Sequence, residues 1–295
     1  MAAEDPAWFS DALAVPYEEG EVLVEGAPIH FLTWGKPDRP PLMLVHGGAA
    51  HAHWWSYLAP MFAAEWFVVA PDLSGHGDSG HRGSYSQELW AEELMAVAGD
   101  AGCAGPPVVV GHSLGGLVTV VAAARHGDEL AGAIIADSGI RRPDPESQEG
   151  HRGHHFQNRR VYPDRQTVLS RFKLVPPQPC ENDFILRHIA VHSVRQVEGG
   201  WTWKFDPNLF GRHLERPMSA YLSDVACRVA LVRGELSQVN PPETADYMYE
   251  LLHRRAPVIS IPQARHHLML DQPLAFVTAV RALLGDWDHS VPRHR

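Results

Sequence analysis

Gly111-His112-Ser113-Leu114-Gly115 lies between two apolar stretches of different character. Residues 107–110 before it are few and mostly β-branched, which is typical of a buried parallel strand. Residues 116–125 after it are small, apolar and numerous enough for a buried helix. A serine flanked by glycines, where a strand turns sharply into a helix, projects its hydroxyl above a helix N-terminus that favours negative charge. The stretch therefore predicts that Ser113 is a nucleophile.

A second turn, His46-Gly47-Gly48-Ala49, follows the apolar residues 42–45. Glycines at a strand end let the backbone approach a ligand and leave N–H groups free to point at it. An acyl-transfer enzyme needs two such donors where the tetrahedral oxyanion forms. We expect the N–H of Leu114 to be one donor and that of Gly48 the other, with Ala49 as the alternative. The His46 ring is expected to brace the turn.

The chain resembles the α/β-hydrolase fold family, and four motifs carry the resemblance. Two are the turns above; a third is the D-x-x-G-x-G-x-S loop over residues 72–79, whose Asp72 we expect to accept backbone hydrogen bonds. The fourth is a late H-x-x-x-x-[DE]-x-P pattern, which runs here from His266 through Asp271 to Pro273. In the family this pattern carries the catalytic base, so the resemblance implies that role for His266. His267 is the alternative, but the spacing to Asp271 fits His266 better.

The triad acid departs from the pattern most common in the family. After the apolar residues 228–233, the usual aspartate position holds Ser237, which cannot carry a negative charge. Some branches of the family, lactonases among them, take the acid from the end of the preceding core strand instead. This chain has Asp137 there, about one strand–helix–strand repeat beyond Ser113. The resemblance therefore implies Asp137 as the acid, with Glu235 as its rival.

The alternation of apolar runs and helical stretches predicts an α/β fold, with a mostly parallel central sheet flanked by helices. Strands are expected near residues 42–46, 66–71, 107–111, 132–137, 228–233 and 257–261, after an irregular lead-in over 1–20 and a hairpin of 21–25 with 29–34. Residues 141–220 are too long for a plain crossover and rich in proline and histidine. The resemblance implies an inserted cap (lid) over 141–220, with residues 1–140 and 221–295 forming the hydrolase core.

Aromatic residues near the two turns and in the predicted cap are candidates for substrate binding. Trp54 follows the glycine turn, and His112 precedes Ser113. Trp201 and Trp203 alternate as in a strand, so their rings face one way. They either line an apolar pocket or hold the cap together, and the sequence favours neither. The predicted small core of the cap consists of Phe156, Tyr162, Phe172 and Phe184.

Charge and cysteine content narrow the class of protein. The net charge of −10 argues against nucleic acid or an anionic membrane as partner. The three cysteines, Cys103, Cys180 and Cys227, are far apart and form no C-x-x-C pair, so we expect no disulfide framework, no zinc site and a cytoplasmic location. The N-terminus is acidic, without a hydrophobic signal core. The histidines of residues 151–155 lack carboxylate or cysteine partners at ligand spacing, so no metal is expected.

These features predict a cofactor-independent serine hydrolase that cleaves a carboxylic ester or a lactone through an acyl-enzyme. The same fold also hosts thioester hydrolysis, cleavage of C–C bonds in β-diketone-like compounds and cofactor-free peroxidation. A receptor-like binder that retains the triad is the alternative from another class. The expected partner is a small-molecule substrate, whose identity the sequence does not give. Whether the chain forms a homodimer is left open.

Overall fold

The computed structural model describes residues 4–143, 160–210 and 215–289. Eight strands of this described part form one central sheet in the order β1-β2-β4-β3-β5-β6-β9-β10, and β7 and β8 form a separate pair. The strands are β1 (Glu18–Val24), β2 (Ala27–Trp34), β3 (Pro41–Val45), β4 (Phe67–Pro71), β5 (Val108–His112), β6 (Gly132–Ala136), β7 (Val194–Val197), β8 (Gly200–Trp203), β9 (Val229–Gly234) and β10 (Val258–Ile261).

The sheet is antiparallel at one edge and parallel elsewhere. β1 pairs with β2, and β2 with β4, in antiparallel fashion. The pairs β4–β3, β3–β5, β5–β6, β6–β9 and β9–β10 are parallel. The expected α/β fold with a mostly parallel sheet is therefore confirmed. Because parallel strands end at the same edge, the loops that follow β3, β5, β6 and β9 converge there.

Helices cover both faces of the sheet, and the inner strands are buried throughout. Alternate residues of β3 point to opposite faces: Leu44 belongs to the same hydrophobic cluster as Phe276, and Met43 to the same cluster as Val118. The helices are α1 (Ala7–Ala14), α2 (Gln87–Asp100), α3 (Leu114–Arg125), α4 (Arg165–Leu169), α5 (Asp183–His192), α6 (Met218–Ser223), α7 (Pro242–Leu251), α8 (Leu268–Asp271) and α9 (Pro273–His289).

The N-terminal region differs from the sequence-based expectation. The prediction of an irregular lead-in over residues 1–20 is wrong, because α1 forms there and β1 begins at Glu18. α1 is stabilised by burial of Phe9, whose ring contacts the rings of Tyr57 and Phe184. The hairpin is confirmed, but it turns at Glu25 and Gly26, both with positive φ, so that β2 already begins at Ala27.

Residues 160–210, which contain α4, α5, β7 and β8, are tied to the loops of the core by hydrogen bonds. The Asn182 side chain donates to the Leu270 carbonyl at 2.7 Å, and the Asp206 N–H donates to the Gly75 carbonyl at 2.7 Å. We expected Phe184 to lie in an internal core of this segment. That prediction is wrong, because the Phe184 ring packs against α1. Phe156 lies outside the described residues. The boundaries of the cap stay a prediction.

Two further features of the described residues concern cysteines and membranes. Cys103, Cys180 and Cys227 are free thiols, and burial raises the pKa of Cys180 to about 11. In the part of the chain that the structure covers, every helix is too short or too polar to span a bilayer.

Candidate active site

Ser113 lies at the junction of β5 and α3 in a backbone conformation that side chains rarely adopt, with φ 54° and ψ −116°. A Cβ at Gly111 would overlap the carbonyl oxygen of Gly115, and a Cβ at Gly115 would overlap the carbonyl oxygens of Val45 and His46. Both flanking glycines are therefore required by backbone contacts. Ser113 keeps partial solvent exposure while its neighbours along β5 are buried.

The glycine turn after β3 packs directly against this junction. A Cβ at Gly47 would lie 3.3 Å from Cβ of Ser113, and one at Gly48 would lie 3.7 Å from a methyl carbon of Leu114. Leu114 is the first residue of α3, so its N–H has no acceptor within the helix. The backbone amides of the turn and of the helix start thus lie close to Ser113.

His46 braces the turn, as expected from the sequence. Its Nδ1–H donates to the Gly47 carbonyl at 2.7 Å, and its Nε2 accepts from the Leu73 N–H at 3.1 Å. Asp72 likewise holds the neighbouring loop, since its carboxylate accepts from the N–H groups of Ala52 and Asp78. Burial opposes ionisation of Asp72, but the hydrogen bond from His30 and nearby histidines hold its pKa well below its usual range.

Ser113, His266 and Asp137 form one hydrogen-bonded chain. Nε2 of His266 lies 3.0 Å from Oγ of Ser113, and Nδ1 of the same ring lies 2.8 Å from Oδ2 of Asp137. The side chain of Asp137 is fully buried, and that of His266 is 5 % exposed. A carboxylate can only accept, so Nδ1 carries the proton and the Nε2 lone pair faces the serine hydroxyl.

Asp137 follows β6 in a left-handed conformation, with φ 48°. Its Oδ1 accepts the Gly234 N–H at 2.9 Å, and its Oδ2 also accepts the hydroxyl of Ser237. The Ser237 oxygen in turn accepts the N–H groups of Val239 and Asn240 at 3.2 and 3.3 Å. The serine at the family's usual acid position therefore holds the carboxylate that comes from the neighbouring strand. The sequence reasoning missed this contact.

Glu235, the rival acid, has other contacts. Its side chain is exposed, and its Oε2 accepts the Gln263 N–H at 2.9 Å. Within the described residues, no hydrogen bond joins Glu235 to His266.

The segment that carries His266 is fixed by the late sequence pattern. Oδ2 of Asp271 accepts the Arg265 N–H at 2.7 Å, and Pro273 begins α9. The buried His112 donates from Nε2 to the His266 carbonyl at 2.9 Å. This support of the His266 backbone was not foreseen, and the predicted contact of His112 with substrate stays a prediction.

His267, the alternative base, makes its hydrogen bonds to other residues than Ser113 in the described part of the chain. Its ring lies 2 % exposed, with Nε2 3.2 Å from the Pro176 carbonyl, and its N–H donates to Oε1 of Gln178. Burial, reinforced by the neighbouring His266, lowers the pKa of His267 to about 3. The ring is therefore neutral at physiological pH.

The predicted pocket residues fall into two groups. The Trp54 ring is buried 5.4 Å from the His267 ring, which places Trp54 beside the triad. Trp203 contacts Tyr162 and Phe172, each with ring centroids 6.2 Å away. Trp201 stacks under the Arg165 guanidinium at 5.6 Å. These contacts of Trp201 and Trp203 lie inside the 160–210 segment, and their part in a substrate pocket stays a prediction.

Side chains of the kind that bind metals gather at three places in the described ranges: His112 with His266 and His267, His30 with Asp72 and Asp78, and His53 with His188 and His192. In the first group both ring nitrogens of His266 bind members of the triad, and in the second the Asp72 carboxylate accepts the hydrogen bonds given above. The histidine-rich residues 151–155 lie outside the described part of the chain.

A strained serine between glycines, a hydrogen-bonded histidine and a buried carboxylate at one sheet edge define an α/β-hydrolase site. The sequence profile of the alpha/beta hydrolase family matches residues 42–280. The chain belongs to this family and is a hydrolase.

The sequence of this chain is similar to those of two named esterases, one over nearly the whole chain and one over about a third of it. It is 31% identical over 286 residues to the esterase Rv0045c of Mycobacterium tuberculosis, covering 91% of this chain and 90% of that one. A match of 38% identity over 95 residues, 32% of this chain and 35% of the other, relates it to the pimeloyl-(acyl-carrier protein) methyl ester esterase of Neisseria meningitidis. The crystal structure of E-2-(acetamidomethylene)succinate hydrolase is similar in fold, with a TM-score of 0.77 at 20% identity over 92% of this chain and 100% of that one.

Proposed function

We propose that this hydrolase cleaves carboxylic esters through an acyl-enzyme formed on Ser113. The observation that carries the proposal is the hydrogen-bonded chain from Ser113 through His266 to Asp137, with backbone amides beside the serine. The curated relatives reported above are named as esterases, which favours esters over thioesters and C–C bonds.

In the acylation step, Oγ of Ser113 attacks the ester carbonyl carbon while Nε2 of His266 takes the hydroxyl proton. The carbonyl electron pair moves onto oxygen, and the N–H groups of Leu114 and Gly48 stabilise that oxyanion. When the tetrahedral intermediate collapses, the bond to the leaving oxygen breaks. His266 returns its proton to that oxygen, so an alcohol leaves and the acyl group stays on Ser113.

Deacylation repeats these steps with water. Nε2 of His266 removes a proton from a water molecule, whose oxygen attacks the acyl carbon. The oxyanion of this second tetrahedral intermediate is stabilised by the same two backbone N–H groups. Collapse breaks the bond to Oγ, Ser113 regains its proton from His266, and the carboxylic acid leaves.

Asp137 orients the ring and stabilises the imidazolium that forms in both steps. The hydroxyl of Ser237 and the N–H of Gly234 fix the carboxylate in turn. Since Asp137 is fully buried, the positive charge on His266 meets its counter-charge away from water, where the attraction is strongest.

The segment of residues 160–210 serves as the cap in this proposal and selects the substrate. Two of its contacts lie close to the triad: Pro176 and Gln178 both hydrogen-bond His267, the neighbour of the catalytic base. Trp54 faces the same place from the core. An acyl or alcohol group between these elements would be recognised by apolar contact.

A panel of carboxylic ester, lactone, thioester and β-diketone substrates tests this function. Esters should be turned over fastest by the wild-type chain, and Ser113→Ala should reduce kcat by a factor on the order of 10⁶, as when a triad nucleophile is removed elsewhere. Glu235→Gln serves as the control, since its loss in kcat should be about tenfold or less. Turnover of only the diketone or only the thioester would refute the ester assignment, and binding without turnover would indicate the receptor-like alternative.

A further inference from the structure

A histidine group that the mechanism does not use joins α5 to the core. His188 and His192 lie one turn apart on α5, at positions i and i+4 of the same helix face. His53 comes from the short 3₁₀ helix Ala52–Trp54, in the loop after the glycine turn. One ring nitrogen of each residue lies within 4.8 Å of a ring nitrogen of the other two. This set of three is called the histidine cluster below.

Hydrogen bonds settle which nitrogen of His188 carries the proton. The Ser56 hydroxyl has one proton, and it donates that proton to the His53 carbonyl at 3.0 Å. Ser56 Oγ, 2.7 Å from Nε2 of His188, must therefore accept from that nitrogen. The Nδ1 atom of His188 is left with its lone pair, while Nε2–H is held by an oxygen. This is the arrangement in which metal-binding histidines are oriented by a second hydrogen bond.

The other two rings also have a nitrogen to offer. Nδ1 of His53 and Nδ1 of His192 are both buried, and neither has a hydrogen-bond partner among the described residues. A neutral imidazole nitrogen with a free lone pair is the form that binds a metal ion.

We propose that His53, His188 and His192 form a binding site for a divalent transition-metal ion of the Zn²⁺ type. Three neutral imidazoles suit Zn²⁺, Cu²⁺ or Ni²⁺, with water in the fourth position. The cluster offers no carboxylate, so the oxygen-preferring ions Mg²⁺ and Ca²⁺ should not bind. The other two groups of metal-type side chains fit less well, because both ring nitrogens of His266 already bind Ser113 and Asp137, and Nδ1 of His30 already binds the Asp72 carboxylate.

Metal binding requires one ring of the cluster to turn. The rings of His53 and His192 are stacked, with centroids 3.9 Å apart and an interplanar angle of 20°. A metal ion lies in the plane of each imidazole that binds it, so the two rings cannot remain parallel and share one ion. We expect His192, which is partly exposed near the end of α5, to rotate out of the stack.

The ion would tie the proposed cap to the core beside the active site. It would link α5 to the residue before Trp54, whose ring contacts His267. Because the ion binds only the folded chain, its binding raises the stability of that chain.

Titration of the purified, metal-stripped full-length chain with Zn²⁺ by calorimetry tests the site. We expect one ion per chain with micromolar or tighter affinity and a rise in Tm on addition of Zn²⁺. His192→Phe keeps the ring stack but removes the ligand, so it should weaken binding at least tenfold, and His53→Phe should do the same. Co²⁺ in place of Zn²⁺ should give visible absorption typical of four-coordinate cobalt in the wild type, and this absorption should be lost in His192→Phe and His53→Phe. His289→Phe, at the exposed end of α9, is the matched control and should bind like the wild type.

His188→Gln is the second test of ligation, since its amide can still donate to Ser56, and circular dichroism checks the fold of each variant. The proposal is overturned if Zn²⁺ binds none of the proteins below millimolar concentration. It is overturned equally if His192→Phe and His188→Gln both retain wild-type affinity. Loss of binding in His267→Phe with retention in those two would place the ion at the triad instead.

Discussion

At the scale of single residues, the acid of the triad and the position that usually supplies it are two different side chains. In this chain the carboxylate comes from Asp137 after β6, and the position after β9 supplies a hydroxyl, Ser237, that binds it. Both loops meet because β6 and β9 are parallel neighbours. The acid can therefore come from either strand end while His266 keeps the same place.

The identity of the acid gives the first prediction. Asp137→Asn should lower kcat by a factor on the order of 10³–10⁴, because an amide favours the wrong tautomer of His266. Glu235→Gln should lower kcat by about tenfold or less, since Glu235 is exposed and does not contact His266. Steady-state kinetics on both variants, with thermal melts to confirm folding, decides between them. An inactive Glu235→Gln beside an active, folded Asp137→Asn would assign the acid to Glu235.

Ser237 gives the second prediction, as a positioning residue. Ser237→Ala should lower kcat roughly tenfold with little change in KM, because one hydrogen bond to the buried carboxylate is lost. The acidic limb of the kcat pH profile should shift, and Ser237→Thr, which keeps the hydroxyl, should restore both properties. Equal losses in the alanine and threonine variants, without a shift of the profile, would indicate a structural role alone.

The nucleophile could be predicted from local sequence, because its backbone strain requires glycines two residues away on either side. The acid could only be narrowed to two residues, since the choice depends on which loop faces His266 across the sheet edge. The supporting contacts of His112 and Ser237 were missed because residues distant in sequence form them.

At the scale of elements, the strand–turn–helix unit β5–α3 positions the nucleophile through close packing of backbones. Gly115→Ala should reduce the free energy of unfolding by about 3 kcal/mol, because its Cβ would overlap the carbonyl oxygens of Val45 and His46. Gly285→Ala is the matched control within α9: nothing lies within 4 Å of its Cβ position. That variant should gain about 1 kcal/mol from helix propensity. Urea denaturation measures both, and equal stability of the two variants would contradict the packing described for the β5–α3 junction.

Most core strands could be predicted because they are short apolar runs, and β3, β4, β5, β6 and β9 are buried on both faces. α1 could not, because its eight residues are held by Phe9 contacting Tyr57 and Phe184, which lie far along the chain. Between residues 160 and 210, the alternation of Trp201 and Trp203 predicted a strand, and β8 confirms it. The other elements of this segment could not be predicted, since they are short and the segment is fixed by hydrogen bonds to core loops.

At the scale of the whole molecule, buried neutral histidines make stability depend on pH. The pKa of His267 is about 3 in the folded chain, against an ordinary value of 6.5. Below pH 6.5 the His267 ring therefore binds a proton in the unfolded chain but not in the folded chain. The contribution of His267 to the free energy of unfolding therefore falls as the pH falls from about 6.5 towards 3. Its slope approaches about 1.4 kcal/mol per pH unit.

His267→Phe removes this contribution while keeping an aromatic ring against Trp54. Between pH 6 and pH 4, the free energy of unfolding of the variant should fall less steeply than that of the wild type, by about 1.4 kcal/mol per pH unit. Urea denaturation at several pH values measures the slopes, with His289→Phe as the exposed control. A variant slope equal to that of the wild type would mean that His267 is already charged in the folded chain.

The sheet, the triad and the glycine turn together make one central claim, that Ser113 is the nucleophile of an acyl-transfer reaction. Labelling with a fluorophosphonate, which reacts with activated serines, followed by peptide mass spectrometry tests this claim most directly. The site predicts a single label, on Ser113, and loss of both label and ester turnover in folded Ser113→Ala. A label on another serine, or undiminished turnover in Ser113→Ala, would contradict it.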